Sequence, residues 1–252
     1  MTEIKDVKVY DLEECIIASG YAMRTASYDY LEESIDGNLD HHIERCKKLV
    51  KASKNSDIHC HDNFLTGIRV SFDIKYPQYL SPEMQRYHFY DIVTSMSKMH
   101  RLLKLDIKSS CNKYVNQAAI DNVLGLVAKY NEILNDPIEH TSEYYKDAVF
   151  KGLNGEKYKI NSKEDTLYVA WMQVVSNCPL GLELWMRVST NYKQLQTIYY
   201  QRRHHKLVED WSAICEMIEN LPYFKEFILG IDTDETYKSV TDRRRKVGIN
   251  GN

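Results

Sequence analysis

The chain has no Gly-rich phosphate loop, no nucleophile elbow and no HExxH pair, so the short motifs of P-loop, serine-hydrolase and zinc-protease chemistry are missing. Cys15, Cys46, Cys60, Cys111, Cys178 and Cys215 are dispersed without a CxxC pair and read as reduced intracellular thiols. No apolar run approaches the length of a membrane span. The opening MTEIKDVKVYDLEEC carries acidic residues where a secretory signal has an apolar core, so a cytoplasmic protein is expected. A formal net charge of −3 excludes a chain-wide attraction to nucleic acid or anionic membrane. Phenylalanine is scarce, six residues against 19 tyrosines, which points to many half-buried positions with a wet hydroxyl. What is present suits a core: 43% of the residues are hydrophobic, and 252 residues allow one large domain or two small ones.

The pattern along the chain predicts an α/β fold. Residues 15–18 read as a short strand, and residues 40–52 carry Ile43, Cys46, Leu49 and Val50 at helical spacing. In residues 67–76, Ile68, Val70, Phe72 and Ile74 alternate with polar residues, the clearest strand of the chain, ended by Pro77. Ser81-Pro82-Glu83 is a helix start, and the helix is expected to run on with Ile92, Met96, Met99 and Leu103 as its apolar stripe. Further helices are expected over 115–134 and 162–175, a hairpin turn at Asn154-Gly155, and a strand over 182–188. A helix should then run from Asn191 through Trp211 to Leu221, followed by a short apolar segment over 224–229. There is no internal repeat and no Gly/Ser linker. A single domain over residues 1–240 is expected, a mixed sheet with long flanking helices, followed by a basic tail over 241–252 that reads as a solvated end.

Chemistry concentrates in NYKQLQTIYYQRRHHKLVEDW, residues 191–211. Asn191, Leu195, Ile198 and Arg202 fall on nearly one helical face, with Tyr199 beside them. An arginine on an apolar stripe is expensive to bury unless something anionic or carbonyl-rich meets it. Two partners are open: a carboxylate elsewhere in the fold, or an anionic planar ligand. Arg203-His204-His205-Lys206 and the Asn191 amide favour the ligand. A second segment, residues 84–103, would as a helix gather Arg86, Tyr90, Ser97 and Arg101 on one polar face, a phosphate cradle or simply a solvated basic face. His59-Cys60-His61 offers zinc donors, but no second pair stands at finger spacing, so no metal is expected. Cys178 has no histidine with a claim to activate it and reads as structural.

The order of these features resembles the flavin-dependent thymidylate synthases, in the divergent form associated with phage genomes. GIRVSFDIKYP is similar to the strand that precedes the family's Arg-His-Arg-x7-Ser signature, and RYHFYDIVTSMSKMHR stands where that signature falls. Arg86 and His88 match its basic cluster and Ser97 its serine, with Tyr87 and Phe89 interrupting and the spacing one residue long. Farther on, Pro179-Leu180, Asn191-x-Lys193-x-Leu195 and Arg202 follow the family's order, with Lys193 in place of an arginine, and Leu221-Pro222-Tyr223-Phe224 resembles its ending. The likeness spans residues 58–105 and 165–229. One departure is the family's phosphate-gripping arginine, matched here by Val175 or Ser176.

The resemblance implies a homotetramer with FAD at its subunit interfaces, NADPH as reductant, and methylenetetrahydrofolate as donor of a one-carbon unit to C5 of dUMP. It places Arg86, His88, Asn191 and Thr197 near FAD, with His61 and Asp62 as further candidates. It gives Arg202 to the pyrimidine as the catalytic group, and Ser97, Arg101 and Gln85 to the nucleotide. For a phage-encoded protein the compartment would be the host cytoplasm. Two alternatives stay open: another pyrimidine modification such as hydroxymethylation on the same fold, and a non-catalytic nucleotide- or nucleic-acid-binding protein that has lost flavin.

Overall fold

A computed structural model describes residues 2–23, 39–55, 61–149 and 160–230. In chain order the elements are β1 (Glu3–Tyr10), α1 (Leu12–Ala18), α2 (Asp40–Asn55), β2 (Arg69–Pro77), α3 (Ser81–Met84), β3 (Asp91–Ser95), α4 (Lys98–Arg101), α5 (Ile107–Ser110), α6 (Gln117–Asn135), α7 (Ser142–Val149), α8 (Lys163–Asn177), β4 (Glu183–Asn191), α9 (Tyr192–Arg202) and α10 (Val208–Glu219). A wide π-helical segment, Phe224–Leu229, follows α10. No helix among the described residues is long and apolar enough to cross a membrane. The chain gathers into two compact units: residues 1–76, 80–95 and 185–252, and residues 77–79 and 96–184.

The first unit is organised by a four-stranded sheet in the order β1-β2-β4-β3. The alternation expected for β2 is realised: Val70, Phe72, Ile74 and Tyr76 are buried, while Arg69 is exposed and Ser71, Asp73 and Lys75 are partly so. β1 pairs antiparallel with β2, with a register shift between Lys5 and Lys8 where Asp6 takes a φ of 50°. β3 pairs antiparallel with β4. Helix α9 packs against α10, the Phe224–Leu229 segment and the turn Asn63–Thr66, and α2 against that same segment. Ile16, Cys46, Val50, Leu195, Ile198, Trp211, Ile214 and Phe227 are buried in this unit.

The second unit is a helical layer in which α6 and α7 both pack on α8. Ile133, Tyr145, Val149, Ile160, Val169 and Ala170 form one apolar cluster. Leu102, Ile107, Val123, Val174 and Leu182 form another. The Ser162 hydroxyl caps α8 by accepting from the Asp165 N–H, as the sequence pattern predicts.

The α/β class is as expected, but several elements differ. The sheet pairings β1-β2 and β3-β4 are antiparallel. Residues 15–18 lie in helix α1; a short apolar run has no periodicity to separate strand from helix, and Glu13 and Glu14 favour a helix start. Residues 84–103 do not form one helix: α3 stops at Met84, and residues 91–95 are a strand. The β-branched Ile92 and Thr94 find ladder partners on β4, with a bulge at Val93 between them, which outweighs the local helical spacing. The helix expected from Asn191 to Leu221 breaks at residues 203–207. Arginines close α9 and Glu209 and Asp210 open α10, each complementing a helix dipole. The 154–155 hairpin and the basic tail lie outside the described residues. Since Phe72 is fully buried at the centre of the sheet, Phe72→Ala should destabilise the fold by about 3–5 kcal/mol in chemical denaturation.

Candidate functional site

The start of α9 ties the strand β4 to the stretch before β3. The Asn191 Oδ1 accepts from the Gln194 N–H at 2.8 Å and so caps the helix. Gln194 in turn accepts from the Phe89 N–H at 3.3 Å, and the Thr190 hydroxyl donates to the Phe89 carbonyl at 2.7 Å. Residues 85–90 are thereby held as a pair of turns, with Tyr87 and Tyr90 buried and Gln85, Arg86, His88 and Phe89 exposed. Two basic donors, Arg86 and His88, thus face solvent on a backbone fixed to the head of α9.

At the other end of α9, Leu195 and Ile198 are buried as the apolar face requires, and the Arg202 side chain is only 14% exposed. Its Nη1 pairs with the Glu83 Oε2 at 2.9 Å, and its Nε donates to the Tyr87 hydroxyl at 2.7 Å. The guanidinium lies over the Trp211 ring at 4.6 Å. The Trp211 Nε1 donates to the same Glu83 oxygen at 3.1 Å, and the His205 Nε2 lies 3.7 Å from it. The Tyr87 hydroxyl donates onward to Gln201 at 3.1 Å. Burial pushes the Tyr87 phenol up, against the pull of Arg202. Of the two partners open for Arg202, the carboxylate is therefore present in the chain itself.

A second ionic knot lies on the flank of α9. Asp62, buried, accepts from Lys193 at 2.5 Å and from the Ser53 hydroxyl at 2.8 Å. Lys193 also donates to Gln196 at 3.3 Å, and Gln196 donates to the carbonyls of Phe227 and Ile228, both at 3.2 Å. Nearby, the Lys54 amine meets the carbonyls of Ile228 and Leu229 and the Tyr200 hydroxyl. Burial, with Arg203 alongside, pushes that amine down to about 8.

The structure thus brings Arg86, His88, Asn191, Thr197, His61, Asp62, Gln85 and Arg202 into one unit, whereas Ser97 and Arg101 belong to the other. Thr197 donates to the Lys193 carbonyl at 3.2 Å and is exposed, as is His61. Ser97 caps α4 by accepting from the His100 N–H at 3.2 Å, and Arg101 is exposed. Because residues 84–103 are not one helix, the shared polar face expected of Arg86, Tyr90, Ser97 and Arg101 does not form. Sequence reasoning missed Glu83, Tyr87 and Trp211 as the surroundings of Arg202. An acid at a helix start and an indole nine residues beyond the arginine carried no local signal of meeting. Among the described residues no group of three or more His, Cys, Asp or Glu side chains could hold a metal ion, and His59 and Cys60 lie outside them.

No protein-family model matches the chain, and no curated protein sequence does either. Solved structures do match. The fold is similar to that of the flavin-dependent thymidylate synthase ThyX from Helicobacter pylori, crystallised with FAD and dUMP. The TM-score is 0.55 and the sequence identity 13%, over 90% of this chain and 97% of that one. A second crystal structure described in the same terms, at 14% identity and the same coverage, has a TM-score of 0.47. The chain has the fold of a flavin-dependent thymidylate synthase, at a level of identity that defines architecture and leaves the chemistry to its own residues.

The cysteines give a direct check on that chemistry. Burial pushes the Cys46 thiol up to about 11 and raises Cys178 as well, so neither is an activated nucleophile. With an ordinary thiol near 9, Cys46 should carry about a hundredfold less thiolate at pH 8 in the native protein than in the unfolded chain. Its contribution to stability is fully present below pH 9 and is lost as pH rises toward 11. Site-resolved iodoacetamide labelling at pH 8 should leave Cys46 unmodified until denaturant is added; rapid native labelling would contradict its burial.

Proposed function

We propose that this chain is a divergent flavin-dependent thymidylate synthase, transferring a one-carbon unit from methylenetetrahydrofolate to C5 of dUMP with NADPH as reductant. The observation that carries the reading is α9. It is capped by Asn191, ends at Arg202, and lies in a fold similar to that of a protein crystallised with FAD and dUMP.

The donors fit such ligands. Arg86 and His88 are exposed N–H donors on a pinned backbone, suited to a pyrophosphate, and Arg86 offers two parallel N–H bonds. Asn191, Thr197 and His61 are the polar groups assigned beside the flavin. Asp62 contributes through Lys193, since both of its oxygens are engaged inside the fold. When bound, the flavin supplies the redox and one-carbon chemistry that no side chain here can perform. The protein's part is electrostatic and positional. The Arg202 guanidinium would donate to a carbonyl of the base and favour the negative charge that develops as C5 becomes nucleophilic. Ser97, Arg101 and Gln85 are assigned to the nucleotide on the family resemblance alone.

Lysine at position 202 keeps a charge for Glu83 but loses the planar fork that reaches Tyr87 and stacks on Trp211. Arg202→Lys should reduce turnover of dUMP to dTMP by roughly a hundredfold, about 3 kcal/mol in the barrier, while the protein still unfolds cooperatively. Full activity in that variant would remove Arg202 from the reaction. The family resemblance implies a site shared between subunits, so a homotetramer is proposed. Light scattering of the flavin-loaded protein should give four chains; a flavin-bound monomer at micromolar concentration would exclude it.

A further inference from the structure

Glu83 is the residue that neither the resemblance nor the fold likeness accounts for. Two donors of different chemistry converge on its Oε2, a guanidinium N–H at 2.9 Å and an indole N–H at 3.1 Å, and the His205 Nε2 lies 3.7 Å away. The His205 Nδ1 accepts from the Leu207 N–H at 3.2 Å, which turns its Nε2 toward Glu83. Arg202 and Trp211 sit on α9 and α10, with His205 on the turn between them, so their convergence is a property of the packed fold. Donors preorganised around one point form a cradle for an oxyanion or a strongly polarised carbonyl. The cradle is filled by the chain's own carboxylate, and it is not sealed: the Glu83 side chain is 26% exposed and sits on the one-turn helix α3.

We infer that Glu83 is an internal occupant of the ligand-oxygen position at Arg202, and so sets how strongly the site binds a pyrimidine nucleotide. This rests on the nucleotide-binding reading above. With Glu83 in place, the charge of Arg202 is neutralised before any ligand arrives. A base carbonyl must then displace the carboxylate to reach the fork and the indole N–H. The carboxylate also works against a ligand already carrying a negative phosphate, since like charges at short range in a partly buried site repel. Glu83 is therefore a positioning and specificity-determining residue that acts through Arg202. It restrains affinity and disfavours anionic molecules that lack a group able to replace it.

The test is a calorimetric titration of the full chain, saturated with FAD, with dUMP. It compares the wild type, Glu83→Gln, Arg202→Gln and the double variant. The Glu83→Gln amide keeps an acceptor for Trp211 and Arg202 but removes the charge, so its fold should persist; its circular dichroism is compared with that of the wild type. Glu83→Gln should bind dUMP about tenfold more tightly than the wild type. In the Arg202→Gln background the same change should have no effect, because the group through which Glu83 acts is gone. Equal or weaker binding in Glu83→Gln would overturn the inference and make the ion pair purely structural, leaving the nucleotide-binding reading intact. Tightening that persists in the Arg202→Gln background would overturn it as well, as a long-range charge effect. If no variant and no wild-type protein binds dUMP, both the inference and the proposed function fail together.

Discussion

Everything distinctive about this protein follows from the need to place a guanidinium at the end of an otherwise apolar helix face. Leu195 and Ile198 fix the rotation of α9 against the core, and that rotation drives Arg202 inward. Left unpaired there, the charge would destabilise the fold by several kcal/mol. It is tolerated because Glu83, Tyr87 and Trp211 arrive from three other parts of the chain. Their arrival constrains the rest: α3 must end at Met84, residues 85–90 must turn back to present Tyr87, and the helix must break after Arg202 so that α10 can return Trp211.

The same turn segment couples the two ends of α9. Phe89 is held by Gln194 and Thr190 near the helix start, while Tyr87 reaches Arg202 near its finish. Arg86 and His88 are thereby exposed on the opposite side of a short, doubly anchored segment. The fold thus separates two kinds of polar groups. Asp62, Lys193, Gln194 and Gln196 are spent on internal bonds that hold α9 in place. Arg86, His88, His61 and Thr197 remain at the surface, the position that ligand groups require.

Much of this arrangement is legible in the order of the residues alone. The alternation in β2 identifies its buried face, because a half-buried strand must repeat every two residues. Helix α9 is legible for the matching reason, since Leu195, Ile198 and Arg202 share a face only at helical spacing. The cap at Ser162 is local chemistry and reads directly. The features that are not legible depend on partners distant in the chain. β1 and β3 are mostly exposed and acquire their strand character from β2 and β4. The break after Arg202 leaves a trace in the switch from RRHHK to VED, a helix end followed by a helix start. Glu83 leaves none, because nothing in a local window ties an acid on α3 to an arginine on α9.

The central claim, that the α9 site holds a pyrimidine nucleotide beside a flavin, is tested most directly by the visible absorption spectrum of the purified protein during a dUMP titration. The account predicts a bound-flavin spectrum whose bands shift saturably as dUMP is added, because it puts the nucleotide beside the flavin. A protein that neither retains nor takes up FAD, or a flavin spectrum indifferent to dUMP, would contradict it.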